Sequence, residues 1–247
     1  MKKLFALLLC CLCFACANDA EVETKTPASG KMSVPSPKKI TVKAGENEVG
    51  GTAVARQDGQ ATAKPSGNDL NGDGEPDRLE VVTTAEENDG LGFKRHLIVY
   101  SGEGADLDAW YTAEDVILST EHGGMMGDPL ESAEIENGII VIKHFGGSRS
   151  KWHYTHRFRW QKGDFQLIGT TVVLDDPCTK STTFDYNLST GIADYATTTQ
   201  ECSGDEVKDL ETITVNFRAD FPAQSMNGFK TGDNELTSKQ MSEPIYF

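Results

Sequence analysis

The chain has 247 residues, with 23 lysines and arginines against 38 aspartates and glutamates, for a formal net charge of −15. Without Lys2 and Lys3, which open a targeting segment, the balance becomes 21 − 38 = −17. A surface of that sign repels phosphates, which argues against nucleic acid and anionic lipid headgroups as partners.

Met1-Lys2-Lys3 followed by an apolar run over residues 4–17 has the form of a secretory signal, and the run is too short to span a bilayer as a helix. Its end fits two patterns. Ala15-Cys16 resembles the small-residue–cysteine junction of bacterial lipoproteins, which implies Cys16 as a lipidated first residue and a membrane partner through that lipid. Cys13 departs from the pattern by standing where leucine is usual. Ala15-Cys16-Ala17 also fits an ordinary small-x-small cleavage site. The polar Asn18-Asp19-Ala20-Glu21 that follows favours the lipoprotein form, and with it an exported, cell-envelope location. Residues 17–66 then read as a flexible, disordered tether: stretches such as Val34-Pro35-Ser36-Pro37-Lys38-Lys39 lack the apolar surface to build a core. Ile40-Thr41-Val42 is the one short strand candidate there.

Folded sequence begins near residue 67 with Asp69-Leu70-Asn71-Gly72-Asp73-Gly74-Glu75-Pro76-Asp77. Oxygen-bearing side chains stand at its first, third, fifth and ninth positions, with glycine at the sixth. That spacing suits a loop wrapped around a hard cation such as Ca2+, and Gly74 permits the bend. Glu80 at the twelfth position completes the EF-hand string. However, Pro65 and Gly67 break an entering helix, and Leu79-Glu80-Val81-Val82 is strand-like. The loop instead resembles the calcium loops of FG-GAP and VCBS-type repeats, which run directly into a β-strand. The resemblance covers a dozen residues, with no second copy; Asp106-Leu107-Asp108 is only a faint echo. It implies side-chain oxygens from Asp69, Asn71, Asp73 and Asp77, a backbone carbonyl from Glu75, and a structural Ca2+ that pins the start of a strand.

Beyond the loop the chain is a series of strand candidates separated by turn residues. Residues 79–84 and 94–100 are joined across Asn88-Asp89-Gly90, and 133–136 and 139–144 across Asn137-Gly138, the strongest hairpin signal present. Residues 152–161 and 165–173 flank Lys162-Gly163-Asp164, residues 182–188 and 192–199 flank Ser189-Thr190-Gly191, and 210–217 is a further strand. Only residues 113–119 suggest a helical turn. The expected fold is mainly β: a single antiparallel domain over residues 67–247, built of hairpins as propeller-like blades or a sandwich. Of six cysteines four belong to residues 1–16, which leaves Cys178 and Cys202 to form a disulfide in an oxidising compartment.

Residues 152–160 alternate, with Trp152, Tyr154, His156, Phe158 and Trp160 on one face and His153, Thr155, Arg157 and Arg159 on the other. An aromatic core face and a cationic solvent face account for the pattern; an aromatic or arginine-lined ligand surface is the sharper alternative. Two glycine-rich turns, His122-Gly123-Gly124-Met125-Met126-Gly127-Asp128 and His144-Phe145-Gly146-Gly147-Ser148-Arg149, resemble the middle of uncharacterised exported bacterial β-proteins. Their glycines serve hairpin ends and bulges, or else the two turns form a pocket rim carrying His122, Asp128, His144, Ser148 and Arg149. No nucleophile elbow, zinc-protease helix, phosphate loop or dinucleotide fingerprint is present, and no residue is assigned a catalytic role. The expectation is a non-enzymatic binding or structural module with a protein or polymer ligand. Its rivals are a calcium-dependent hydrolase of envelope polymers and an acidic inhibitor or immunity-type protein.

Overall fold

The computed structural model describes residues 67–102, 108–204 and 206–247. The expected signal segment (1–16), Cys16, the tether (17–66) and most of the Asp106-Leu107-Asp108 echo lie outside these residues.

The hairpin signals translate into two antiparallel meanders. The first is a three-stranded sheet of β1 (Asp77–Glu87), β2 (Phe93–Ser101) and β3 (Asp108–Ile117). The second runs in chain order through β4 (Leu130–Glu136), β5 (Ile139–Gly147), β6 (Lys151–Gln161), β7 (Asp164–Asp176), β8 (Lys180–Asn187), β9 (Ile192–Ser203) and β10 (Glu206–Arg218). A two-residue pair, β11 (Glu235–Leu236) and β12 (Ile245–Tyr246), closes the chain. Turn chemistry explains the connections. Asn137 and Gly138 take φ of 51° and 77°, and Lys162 and Gly163 take 56° and 81°. Two successive left-handed residues make the two-residue turn whose twist matches the flanking strands.

The seven-stranded sheet is apolar on one face only. Ile140 and Ile142, Phe158, Phe165 and Leu167, Phe184 and Tyr186, Ala193 and Tyr195 alternate inward from successive strands, and Asp185, Asn187 and Asp194 alternate outward. Trp152, Tyr154, His156, Phe158 and Trp160 do share one face of β6, as the alternation predicts; His156 and Phe158 are fully buried. Trp152 lies over its cross-strand partner Gly146, where an added Cβ would stand 2.2 Å from the indole. The glycine is there to receive a ring.

Two things cover that apolar face. One is the three-stranded sheet, which contributes Leu97, Val99, Ala113 and Val116 and sets Trp110 and Tyr111 against Trp160 and Phe165 at centroid distances of 4.9–6.1 Å. The other is the segment after β10, residues 219–247, which has little regular structure. It is pinned by Met226 N–H donating to the Phe165 carbonyl (2.7 Å), Leu167 N–H donating to the Gln224 carbonyl (2.9 Å) and the Lys180–Glu243 ion pair (2.6 Å). Its side chains Met226, Phe229, Ile245 and Phe247 are completely or almost completely buried. The expected helical turn at residues 113–119 is a correction: residues 113–117 continue β3, and Leu118 and Ser119 follow it without helix. Four steps of β3, from Ala113 to Ile117, oppose only two of β2, from Leu97 to Arg95. This double bulge buries Ala113, Val116 and Ile117 at helix-like spacing without forming a helix.

Cys178 and Cys202 are bonded, with Cα atoms 4.8 Å apart across 24 residues, and tie the β7–β8 turn to the end of β9. Reduction, or Cys178→Ser with Cys202→Ser, is expected to lower unfolding free energy by about 3 kcal/mol in denaturant titrations. A second outcome concerns His144 and His156. Both are fully buried; His156 has no hydrogen-bond partner at either nitrogen, and packs between Tyr154 and the Phe229 edge. Burial drives the imidazoles down to about 4 and about 3 respectively, with neighbouring positive charge adding to the effect. Their folded values lie below that of the unfolded chain, so the unfolded state takes up more protons as pH falls below about 6.5. Stability should fall by roughly 1 kcal/mol per pH unit per histidine between about pH 6 and 4, and His156→Phe should flatten the slope in equilibrium unfolding.

Candidate functional site

The loop of residues 69–77 is built from its own side chains. Asp69 accepts from Gly72 N–H (2.7 Å) and Gly74 N–H (3.0 Å), Asn71 Oδ1 from Asp73 N–H (2.9 Å), and Asp73 Oδ1 from Glu75 N–H (2.8 Å). Gly72 and Gly74 take φ of 80° and 91°, which side chains resist. The loop opens directly into β1 at Asp77, without an intervening helix. Leu70 is its one core residue, and Gly138 N–H donates to Gly67 O (3.0 Å), fastening it beside the β4–β5 turn.

Asp77 joins this loop to the sheets. It is 3% exposed; its Oδ2 accepts from Leu70 N–H (2.6 Å) and its Oδ1 from the Trp110 indole N–H (3.1 Å). Its pKa is raised, chiefly by burial, against the lowering effect of those two donors; the negative charges of Asp73 and Asp69 raise it further. Three carboxylates thus repel one another, and none is ion-paired among the described residues. The donors of Asp69, Asn71, Asp73 and Asp77, with the Glu75 carbonyl, are all oxygen, the ligand type a hard cation selects. Glu80, by contrast, points away from the loop in β1, exposed and 3.9 Å from Arg78. Among the described residues no three His, Cys, Asp or Glu side chains gather as a ready-made metal cage. Asn71 and a main-chain carbonyl are therefore needed to complete any shell at this loop.

The two glycine-rich turns do meet. Gly147 N–H donates to Gly123 O (2.9 Å), and Gly124 bridges Gly147. A Cβ on Gly123 would stand 2.4 Å from the Gly127 carbonyl, so the first turn closes on itself. The polar side chains scatter all the same. Asp128 is clamped by Arg95 through both oxygens (Nη1–Oδ1 2.8 Å), and that guanidinium, with the Leu130 N–H, holds its carboxyl below the usual range despite partial burial. His144 is buried, with Nε2 accepting from Leu118 N–H (3.2 Å). Arg149 donates to the Pro177 carbonyl (3.0 Å), and Ser148 O accepts from Lys151 (2.8 Å). His122 lines a cleft, and burial lowers its pKa. The rim exists, but its residues do not converge on one reacting atom.

Arg95 and Trp110 were not singled out from sequence. Arg95 shares the inward parity of Leu97 and Val99 on β2, and a charge on a core-facing position demands a partner, here the exposed carboxylate of Asp128. Comparison of the chain with protein-family models, with curated proteins and with solved structures finds no match.

Proposed function

We propose that the chain is a calcium-stabilised, non-enzymatic binding or structural module, held at a bacterial cell envelope by a lipid on Cys16 and a polar tether. The observation that carries the calcium part is the set of mutually repelling carboxylates of Asp69, Asp73 and Asp77, unpaired among the described residues, at the point where the loop enters β1. A divalent ion relieves that repulsion and stabilises the fold by linkage, without touching a substrate. The envelope part is supported by the signal-like residues 1–16 and by a disulfide that suits an oxidising compartment.

The hydrolase alternative calls for Asp128 and His144 free beside the ion, whereas one is clamped by Arg95 and the other is buried. The inhibitor alternative ranks second, because the outer part of the β9–β10 hairpin exposes Glu201, Glu206, Asp209 and Glu211 together with Val207 and Leu210.

Thermal melting of the purified chain with Ca2+ and with chelator tests the ion. At a hundredfold excess over the dissociation constant, linkage adds about 2.7 kcal/mol, or a rise of roughly 5–10 °C for a domain of this size. Asp73→Ala should abolish the rise, and equal melting with Ca2+ and chelator would remove the ion. Incorporation of labelled palmitate by expressing bacteria should be lost in Cys16→Ala.

A further inference from the structure

Separate from the loop and bordered by His122 of the glycine-rich rim, a cleft of about 280 Å³ opens where β2, the bulged end of β3 and the segment after β10 meet. That volume lies at or below the bottom of the range for small-molecule sites, about 300–1,000 Å³, so the cleft suits a ligand of a few heavy atoms. Its walls are fixed from three directions. Thr231 Oγ1 donates to the Val116 carbonyl (3.3 Å), Asn88 Nδ2 to Ser119 Oγ (2.9 Å), and Phe93 N–H to Thr120 Oγ1 (2.9 Å). Gly92, at φ +80°, leaves no space for a Cβ, which would meet Thr120 Oγ1 at 2.2 Å.

Arg95 lines this cleft and is only 5% exposed. A guanidinium carries five N–H donors. Asp128, which is not part of the cleft wall, takes two of them. The guanidinium therefore keeps donors beyond the two that Asp128 takes, on a side chain that forms part of the cleft wall. A buried guanidinium locked in place by one carboxylate is a preorganised positive charge in the cleft wall, the group that suits a second carboxylate. Lys230 adds a second cation at the rim, with no ion pair among the described residues.

Negative charge faces the same space. Glu114 and Asp115 sit within the double bulge of β3, where regular alternation is suspended, and Asp233 comes from the C-terminal segment. None of the three is ion-paired among the described residues. Charges of both signs therefore share one small cleft: Arg95 is paired with Asp128 and Lys94 with Glu86 outside its wall, Lys230, Glu114, Asp115 and Asp233 have no ion pair among the described residues, and Ile117 and Leu118 add apolar wall. A lone metal ion would leave Lys230 unanswered, and a simple anion would leave Asp115 and Glu114 unanswered.

We propose that this cleft binds a small zwitterion, an α-amino acid or the end of a very short peptide, with its carboxylate on Arg95 and Lys230 and its ammonium on Asp115 and Glu114. The assignment rests on the binding half of the function proposed above and supplies its ligand class; it is independent of the calcium loop.

The test is isothermal titration calorimetry on the full chain with glycine, L-alanine, L-glutamate, L-lysine and dialanine, beside propionate and ethylamine as single-charge probes. At least one zwitterion should bind with a Kd of about 1 mM or tighter, and both single-charge probes at least about tenfold more weakly. Asp115→Asn and Lys230→Met, both at the cleft surface, should each weaken the best zwitterion by about tenfold while leaving the ligand-free melting temperature and its calcium response unchanged. Absence of binding by every zwitterion, equal binding of propionate or ethylamine, or unchanged affinity in both variants would overturn the assignment. Because the calcium response is read in the same samples, failure of the cleft and failure of the ion loop are told apart.

Discussion

The carboxylate of Asp77 is the joint on which the start of the fold turns. With one oxygen it holds the Leu70 N–H and so closes the loop; with the other it holds the Trp110 indole on β3. Trp110 in turn packs edge-on against Trp160 and close to Phe165, so the loop, the three-stranded sheet and the seven-stranded sheet are linked through one buried acid. Burying a carboxylate is costly, and two hydrogen bonds offset only part of that cost. Asp69 and Asp73 add repulsion from outside. This is a site where positive charge has an energetic role to fill. It also shows why Asp77 differs from the other loop acids: it serves the fold even where no ion is bound.

A one-sided seven-stranded sheet has to cover its apolar face, and the three-stranded sheet covers only part of it. Residues 219–247 cover much of the rest through separate anchors seated in the face of the sheet, Met226 beside Phe165 and Phe229 against His156 and Phe158, while Phe247 packs on Phe221 within the segment itself. A covering of isolated plugs tolerates irregular backbone, because main-chain groups can bond to exposed strand ends and to turns. It also places the His156 imidazole against the Phe229 ring with both nitrogens unsatisfied, which makes the interior sensitive to acid in a way that an all-aliphatic face would not be.

The parts of this architecture that were legible in the sequence are those governed by local chemistry. Asn137-Gly138 fixes a hairpin because both residues accept positive φ, and the period of two across residues 152–160 fixes which rings face inward. The loop of residues 69–77 could be read as a string of oxygen donors, and its exit into a strand followed from β-branched residues. The misleading stretch was 113–119, where a double bulge spaces the buried residues as a helix would. Residues 219–247 carried no period because each anchor is set by a hole in the sheet, which sequence does not display. The cleft was hidden for the same reason: Arg95, Asp115 and Asp233 are far apart in the chain and are collected only by the packing of three elements.

Both candidate sites use β1 and its neighbours, but at opposite ends. Asp77 opens β1 beside the loop of residues 69–77, and Asn88, just past the other end of the strand, lines the cleft. Eleven residues of extended strand separate the two by about 35 Å. At that distance two ligands that each stabilise the folded state contribute additively unless an element with two discrete arrangements connects them. The strand between them is hydrogen-bonded to β2 along most of its length, with one register shift near Glu87. Nothing in that ladder offers a second packing. An ion at Asp77 would therefore act on the cleft only by keeping the three-stranded sheet folded, so the loop is a fastening for the fold and the cleft is where selectivity for a ligand would reside.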